Sequence, residues 1–171
     1  MERAELEREL EILHTECWGW ALACCRRDSE LAEDALQSAY LRVLSGRARF
    51  DGRSSVRTWV FGVIRVTAME EQRRRRSWMA HQVGMETTID VADPSARADA
   101  NAESSEQSAT LISALARLSP RQKEVLQLVF YHGMTIEEAA KVINISIGSA
   151  RTHYERGKKA LALTLADSRL R

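Results

Sequence analysis

Residues Lys141 to Arg156 read KVINISIGSARTHYER. An apolar helical run stops at Asn144, spends one Ile, and restarts at Ser146 with polar and charged side chains along the new segment. Asn accepts the left-handed backbone conformation that a sharp helix exit demands, because its short polar side chain can bond locally. Ser146 can cap the following helix by accepting from a free backbone N–H of its first turn. Upstream, Thr135-Ile136-Glu137-Glu138 has the spacing of a capping box, in which the Thr hydroxyl and the Glu three residues on satisfy free backbone donors reciprocally. The pattern predicts two helices joined by a tight turn, with Ile145 plugging that turn into the core and small residues at Ala139, Gly148 and Ala150 letting the helices approach. That is a helix-turn-helix, whose second helix is placed to enter a major groove.

The outward positions of the second helix are Ser149, Arg151, Thr152, Glu155, Arg156 and Lys158, with Ser146 at its start. Arg addresses guanine bidentately, Glu accepts from cytosine N4, and Ser, Thr and Lys reach phosphates. The plain alternative is a helical hairpin with a solvated polar face, in which Arg151 and Glu155, one turn apart, form an intrahelical ion pair. The agreement of cap, turn and face favours DNA.

Working outward, Ser119-Pro120 supplies a cap followed by proline at the first helical position. Val125, Leu126, Leu128 and Val129 make the buried face of that helix, Gly133 ends it, and Leu111, Leu115 and Leu118 carry the periodicity before it. From Gly84 to Gln107 the composition shifts to Ala, Ser, Asp, Glu and Thr, which is linker composition. The N-terminal half is helical in period throughout. Leu6, Leu10, Leu13, Cys17, Trp20 and Cys24 form one stripe. Asp28 or Ser29 caps a second helix with Leu31, Ala35, Ala39, Leu41 and Leu44 inward. A turn at Phe50-Asp51-Gly52 precedes a third helix from Ser55 to Arg76, with Val56, Trp59, Val60, Val63 and Ile64 inward. The expectation is an all-α protein of two small helical domains, residues 1–83 and 108–171, joined by a flexible acidic linker over 84–107, the C-terminal domain being the helix-turn-helix.

With 44% hydrophobic and 29% charged residues in a chain of 171, the composition is that of a folded globular protein rather than a disordered one. No apolar run reaches the ~18–20 residues that span a bilayer, and MERAELEREL is too charged for a signal peptide, so no membrane insertion and a cytoplasmic location are expected. Three cysteines do not make a disulfide framework. The net charge of +1 conceals segregation: Met1 to Asp34 carries ten acids against four bases, and Arg42 to Trp78 ten bases against three acids. Glu86 to Glu106 is acidic again, and Lys141 to Arg171 basic. Two basic blocks suit two polyanion-facing surfaces, though a charge run is also what a solvated face looks like. His14 and Cys17 share a helix face, but Cys24 lies about 10.5 Å further along, too far for one straight helix to close a metal site. No metal or other cofactor is expected. Nor is an enzyme: there is no phosphate loop, nucleophile elbow or paired catalytic carboxylate.

The segment LSPRQKEVLQLVFYHGMTIEEAAKVINISIGSARTHYERGKKAL resembles the fourth conserved region of extracytoplasmic-function (ECF) sigma factors of bacteria. AEDALQSAYLRVL followed by FDGRSSVRTWVFGVIRVTAMEEQRRRR resembles their second region, so the likeness runs from about residue 10 to about residue 165. The resemblance implies a non-catalytic subunit that binds core RNA polymerase and reads two promoter elements. It implies that the helix from Leu31 to Leu44 docks on the beta-prime clamp helices through Glu33, Asp34, Gln37 and Arg42, and that the C-terminal domain meets the beta flap. It further implies that the loop Phe50 to Ser55 holds a flipped minus-10 base and that the following helix tracks the non-template strand, with Phe50, Arg53, Ser54, Arg57, Phe61, Arg65, Arg73 and Arg74 on the DNA. Single-stranded DNA needs cations for phosphate and planar faces for stacking, which these residues, with Trp78, supply; Trp59 reads as core. The minus-35 surface falls on Ser146, Ser149, Arg151, Thr152, Glu155, Arg156 and Lys158. A regulatory partner, often an anti-sigma protein in this family, is also implied.

Two departures stand out. Ser38 occupies the place of the family's usual Glu after Gln37, and Val66 that of an Asn in the base pocket, where Val offers no hydrogen bond. The closest rival is a response-regulator or quorum-sensing helix-turn-helix factor, because SPRQKEVL and SARTHYER also fit that family. Its receiver domain would need alternating strands and helices, and residues 1 to 80 read as helices alone.

Overall fold

The computed structural model describes residues 2–82 and 111–169, and among these every regular element is a helix. The chain divides into two compact units between Pro94 and Ser95. The expected linker, 84–107, lies outside the described residues. No helix among the described residues is long and apolar enough to cross a membrane.

In the first unit α1 (Arg3–Cys24), α2 (Ser29–Leu44) and α3 (Val56–Gln82) each pack on the other two. Asp28 starts α2 by accepting from the Leu31 N–H at 3.0 Å. Leu10, Leu13, Cys17 and Trp20 of the predicted α1 stripe are buried, joined by Ala21 and Cys25, while Cys24 is half-buried. Ala32, Ala35 and Ala39 are fully buried and let the α2 backbone lie close to its neighbours. Leu41 corrects the expected stripe. At 3.6 residues per turn it falls on the far side of α2 from Ala35 and Ala39, and it is 69% exposed, whereas Leu36 and Val43 are buried. The buried face of α3 is likewise turned by about one residue from the expected one. Val60, Phe61, Ile64 and Ala68 are buried, and Val56, Trp59 and Val63 sit half-buried at its edge. The indole of Trp20 stacks on Phe61 at 5.9 Å and donates to the Phe61 carbonyl at 3.0 Å, tying α1 to α3.

In the second unit, a helical turn over residues 111–116 (α4) precedes Ser119, which forms a full capping box with Gln122 at the start of α5 (Pro120–Leu126). The helix does not continue regularly. Gln127–Tyr131 forms a π-helical turn, closed by Gly133 at φ +62°. The extra residue per turn leaves Leu128 buried, Val129 half-buried, and Phe130 and Tyr131 exposed, so Val129 is not the full core residue that a regular helix predicts. Thr135 and Glu138 form the expected capping box of α6 (Ile136–Ile143), and Asn144 takes the left-handed conformation at φ +54°. Ser146 then accepts from the Ser149 N–H at 3.1 Å to begin α7 (Ile147–Arg169). Ala139 and Ala150 are buried as expected, and Ile145 is half-buried.

The glycine that permits close packing is not Gly148, which is exposed, but Gly157, where a Cβ would stand 2.8 Å from Leu126 Cδ1. At that point α7 presses on α5. Gly157→Ala should therefore be less stable than Gly148→Ala by about 1–2 kcal/mol, overpacking outweighing the gain in helix propensity. Chemical denaturation monitored by helical circular dichroism checks this, and equal stabilities would show that Leu126 yields without cost.

Candidate polymerase and nucleic-acid interfaces

The outer face of α2 presents Glu33, Asp34 and Gln37, all exposed, with Gln37 Nε2 donating to Glu33 Oε1 at 3.3 Å. Beside them a groove of about 280 Å³ is lined by His14, Trp18, Glu33, Leu36, Gln37 and Tyr40. A second, of about 380 Å³, shares His14 and Tyr40 and reaches Leu10 and Leu44. Sequence reasoning missed Trp18, Tyr40 and Leu41 as surface residues here; the available signal was Leu41, an apolar side chain off the α2 stripe. Arg42 is not a projecting cation. It is bound to Glu70 of α3, and that hydrogen bond holds the Glu70 carboxyl below its usual range. Ser38, at the family's Glu position, donates to Glu71 Oε1 at 3.3 Å, and Arg74 pairs with the same carboxylate at 3.2 Å.

The predicted minus-10 residues separate into two groups. Arg53 is exposed beside Asp51, which also accepts from the Arg53 N–H at 3.1 Å, and Gly52 between them has φ +73°. Ser54 is half-buried, and the Phe50 ring tilts against Trp59 at 5.3 Å. Arg73 and Arg74 are exposed one helix turn before Trp78, which is also exposed. The other group is structural. Phe61 is fully buried under Trp20 and offers no face to a base, and Arg65 is 7% exposed. Both lie on the core side of α3, a placement that their residue types did not disclose. Arg57 is half-buried, donating from Nε to Glu16 at 2.8 Å with its guanidinium 5.5 Å over the Phe61 ring. Val66 is exposed, so the departure from Asn lies on the open surface. Arg75 spans to Asp28 at 2.8 Å and Glu30 at 3.8 Å.

On α7, Arg151, Thr152, Glu155 and Arg156 are exposed along with Ser146 and Ser149, and Lys158 is half-buried. The Arg151–Glu155 pair does not form. Glu155 pairs instead with Lys158 at 3.4 Å, and Lys158 lies 4.6 Å over the Tyr154 ring, which stacks on Phe130 at 5.7 Å. Arg151 is left projecting, with no carboxylate partner among the described residues.

His14 Nδ1 lies 3.2 Å from the Tyr40 hydroxyl, and burial pushes the Cys17 and Cys25 thiols each up to about 11. Among the described residues no group of three or more His, Cys, Asp or Glu side chains is arranged to hold a metal ion.

The geometry has a counterpart among known proteins. The sigma-70 region 2 family matches residues 13–78, and sigma-70 region 4 matches residues 108–161. The ECF RNA polymerase sigma factor SigX of Bacillus subtilis is 32% identical over 137 residues, covering 79% of this chain and 71% of that protein. This chain belongs to the ECF sigma factor family. It is an alternative RNA polymerase sigma factor, and the response-regulator reading is set aside. The ECF sigma factor SigC of Mycobacterium tuberculosis is 29% identical over 151 residues, with 87% and 76% covered. In fold, the chain matches the sigma factor RpoE from Bartonella quintana, solved with the anti-sigma factor NepR, at a TM-score of 0.69 and 20% identity, over 95% of this chain and 97% of that one.

The structural and surface arginines of this sigma factor separate under mutation. Asp28→Ala removes a helix cap and an ion pair and should cost about 1–2 kcal/mol. Arg75→Ala, whose pair is partly screened by solvent, should cost less than about 1 kcal/mol, and Arg73→Ala should stay within about 0.5 kcal/mol of the parent. Urea unfolding checks the order, and an Arg73 variant as unstable as the Asp28 variant would overturn it.

Proposed function

We propose that residues 1–83 form the polymerase and minus-10 module, 84–107 the linker, and 108–171 the minus-35 module. Glu33, Asp34 and Gln37, with the groove lined by Trp18, Leu36 and Tyr40, meet the clamp helices of the beta-prime subunit, while Arg42 sets the α2–α3 packing behind them. The second unit meets the beta flap. Phe50, Arg53 and Ser54 hold the minus-10 base, Arg73 and Arg74 serve the strand beyond it, and Arg57 supports them from its pair with Glu16 of α1. Phe61 and Arg65 are removed from that surface because they are buried. The protein acts in the cytoplasm, without catalysis and without a cofactor. Its regulator is an anti-sigma protein, a reading supported by the related sigma factor that was solved with one.

The observation that carries the reading is the face of α7. A capped helix presents Arg151 with no competing carboxylate partner among the described residues, on the same face as Glu155 and beside Thr152 and Arg156. Arg151 and Glu155 read base edges in the minus-35 major groove, each worth ~1–3 kcal/mol of discrimination, and Ser146, Ser149, Thr152, Arg156 and Lys158 hold phosphates.

In a randomised-promoter selection with core polymerase, Arg151→Ala and Glu155→Ala should change the preferred minus-35 bases and leave minus-10 preference intact. Arg156→Ala should weaken all minus-35 sequences alike, since phosphate contacts carry no sequence information. An unchanged minus-35 preference in the Arg151 and Glu155 variants refutes this assignment.

A further inference from the structure

The α1–α2 turn holds two consecutive non-glycine residues in the left-handed region, Arg26 at φ +53° and Arg27 at φ +64°. Glycine or asparagine would adopt that conformation with less strain, yet both positions carry a long cation, and both are exposed. Such strain persists only where surrounding structure over-determines it. Here the turn is held at several points. The Arg27 N–H donates to the Leu22 carbonyl at 2.8 Å, and the Asp28 N–H to the Cys25 carbonyl at 3.0 Å. Gln72 Nε2 of α3 donates to the Cys24 carbonyl at 2.7 Å, and Arg75 reaches Asp28 at 2.8 Å. The turn is therefore fastened to the same stretch of α3 that carries Arg73, Arg74 and Arg76, and Arg76 Nε donates to the Gln72 carbonyl within that stretch.

Charge at this corner is unbalanced. Asp28 and Glu30 are the nearby carboxylates in sequence, and Arg75 occupies both, while Asp28 also caps α2. Glu71 is taken by Arg74 and Ser38. Arg26 and Arg27 form no salt bridge among the described residues, and Arg73 forms none either, its nearest carboxylate influence being Glu70, which Arg42 holds. We infer that the Arg26–Arg27 turn is a second phosphate-binding element, extending the α3 arginine surface along the backbone of promoter DNA. The inference rests on the proposal that α3 faces DNA. The partner is a polyanionic backbone rather than an acidic protein surface, because the element is fastened to the stretch of α3 that carries that run and the turn itself offers cations and no apolar side chain, the exposed Trp78 and Met79 lying further along α3. Leu22 and Ala23 beside it are half-buried in α1, and protein interfaces have a largely apolar core.

The test uses holoenzyme assembled from core polymerase and the full chain, with a promoter fragment recovered by the selection described above. Binding is measured by fluorescence anisotropy across a potassium chloride series. Arg26→Gly with Arg27→Gly removes both cations while suiting the left-handed backbone. It should make the slope of log affinity against log salt shallower by about 1.4–1.8, the value for two lost phosphate contacts, with base preference unchanged. Arg26→Lys with Arg27→Lys should keep the parent slope. Arg73→Ala serves as the reference for the α3 surface. If Arg73→Ala lowers the slope and the double glycine variant does not, this inference is overturned and the α3 proposal stands. If neither lowers it, both fall. If the glycine variant instead loses affinity for core polymerase while its salt slope on DNA is unchanged, the turn is a polymerase contact and the inference is overturned.

Discussion

The first unit depends on the burial of one side chain. Trp20 is 1% exposed, stacks on Phe61, and donates its indole N–H to the Phe61 carbonyl, so α1 and α3 are joined by packing and by a directed bond. Removing such a side chain costs ~3–5 kcal/mol in a close-packed core, a large fraction of the stability of a small domain. With Trp20 seated, α2 lies in the remaining space through three alanines, and its polar face is left outward as a consequence. Phe61 is committed to this contact. An aromatic side chain of the type that could stack on a base thus serves to fix the helix that carries the exposed Arg73 and Arg74.

The arginines of α3 and its flanks divide by what stands opposite them. Arg42, Arg57 and Arg75 each meet a carboxylate on another helix or its cap, and these pairs join α1, α2 and α3 around the core. Because each is partly solvated, the value of these pairs is more in fixing geometry than in stability. Arg53 and Arg73 remain exposed, and exposed cations can exchange counterions for nucleic-acid phosphate. The same residue type thus stands in two settings in this unit, paired across helices or exposed to solvent.

In the second unit the decisive approach is between α5 and α7 at Gly157, with Leu126 filling the space a side chain would need. That contact fixes α7 against the α5 support and leaves the opposite face of its first turns open. The π-helical turn after α5 inserts a residue, ends the helix at Gly133, and turns Phe130 outward onto Tyr154. Tyr154 in turn underlies Lys158, which takes Glu155 and so leaves Arg151 without a partner along the helix.

The sequence by itself determined most helix starts and the class of fold, while α3 runs on to Gln82, six residues past the expected end at Arg76. Asp28, Ser119, Thr135, Asn144 and Ser146 act through bonds within a few residues, so their chemistry is legible wherever they occur. The helix-turn-helix and its outward residues followed from those local signals, as did the all-helical character of the described N-terminal unit. Only the tertiary structure decided which side of each helix is buried, and by how much. Phe61 and Arg65 moved inward because the centre of the buried face of α3 is set by the neighbouring helices, and helical period alone leaves it uncertain by about one residue, whereas the outward Leu41 was already legible in the period of α2. It also decided which glycine allows close packing and which arginines are paired. Those partners lie tens of residues away in the chain, as Asp28 does from Arg75, and no local pattern encodes a contact that exists only when the helices meet.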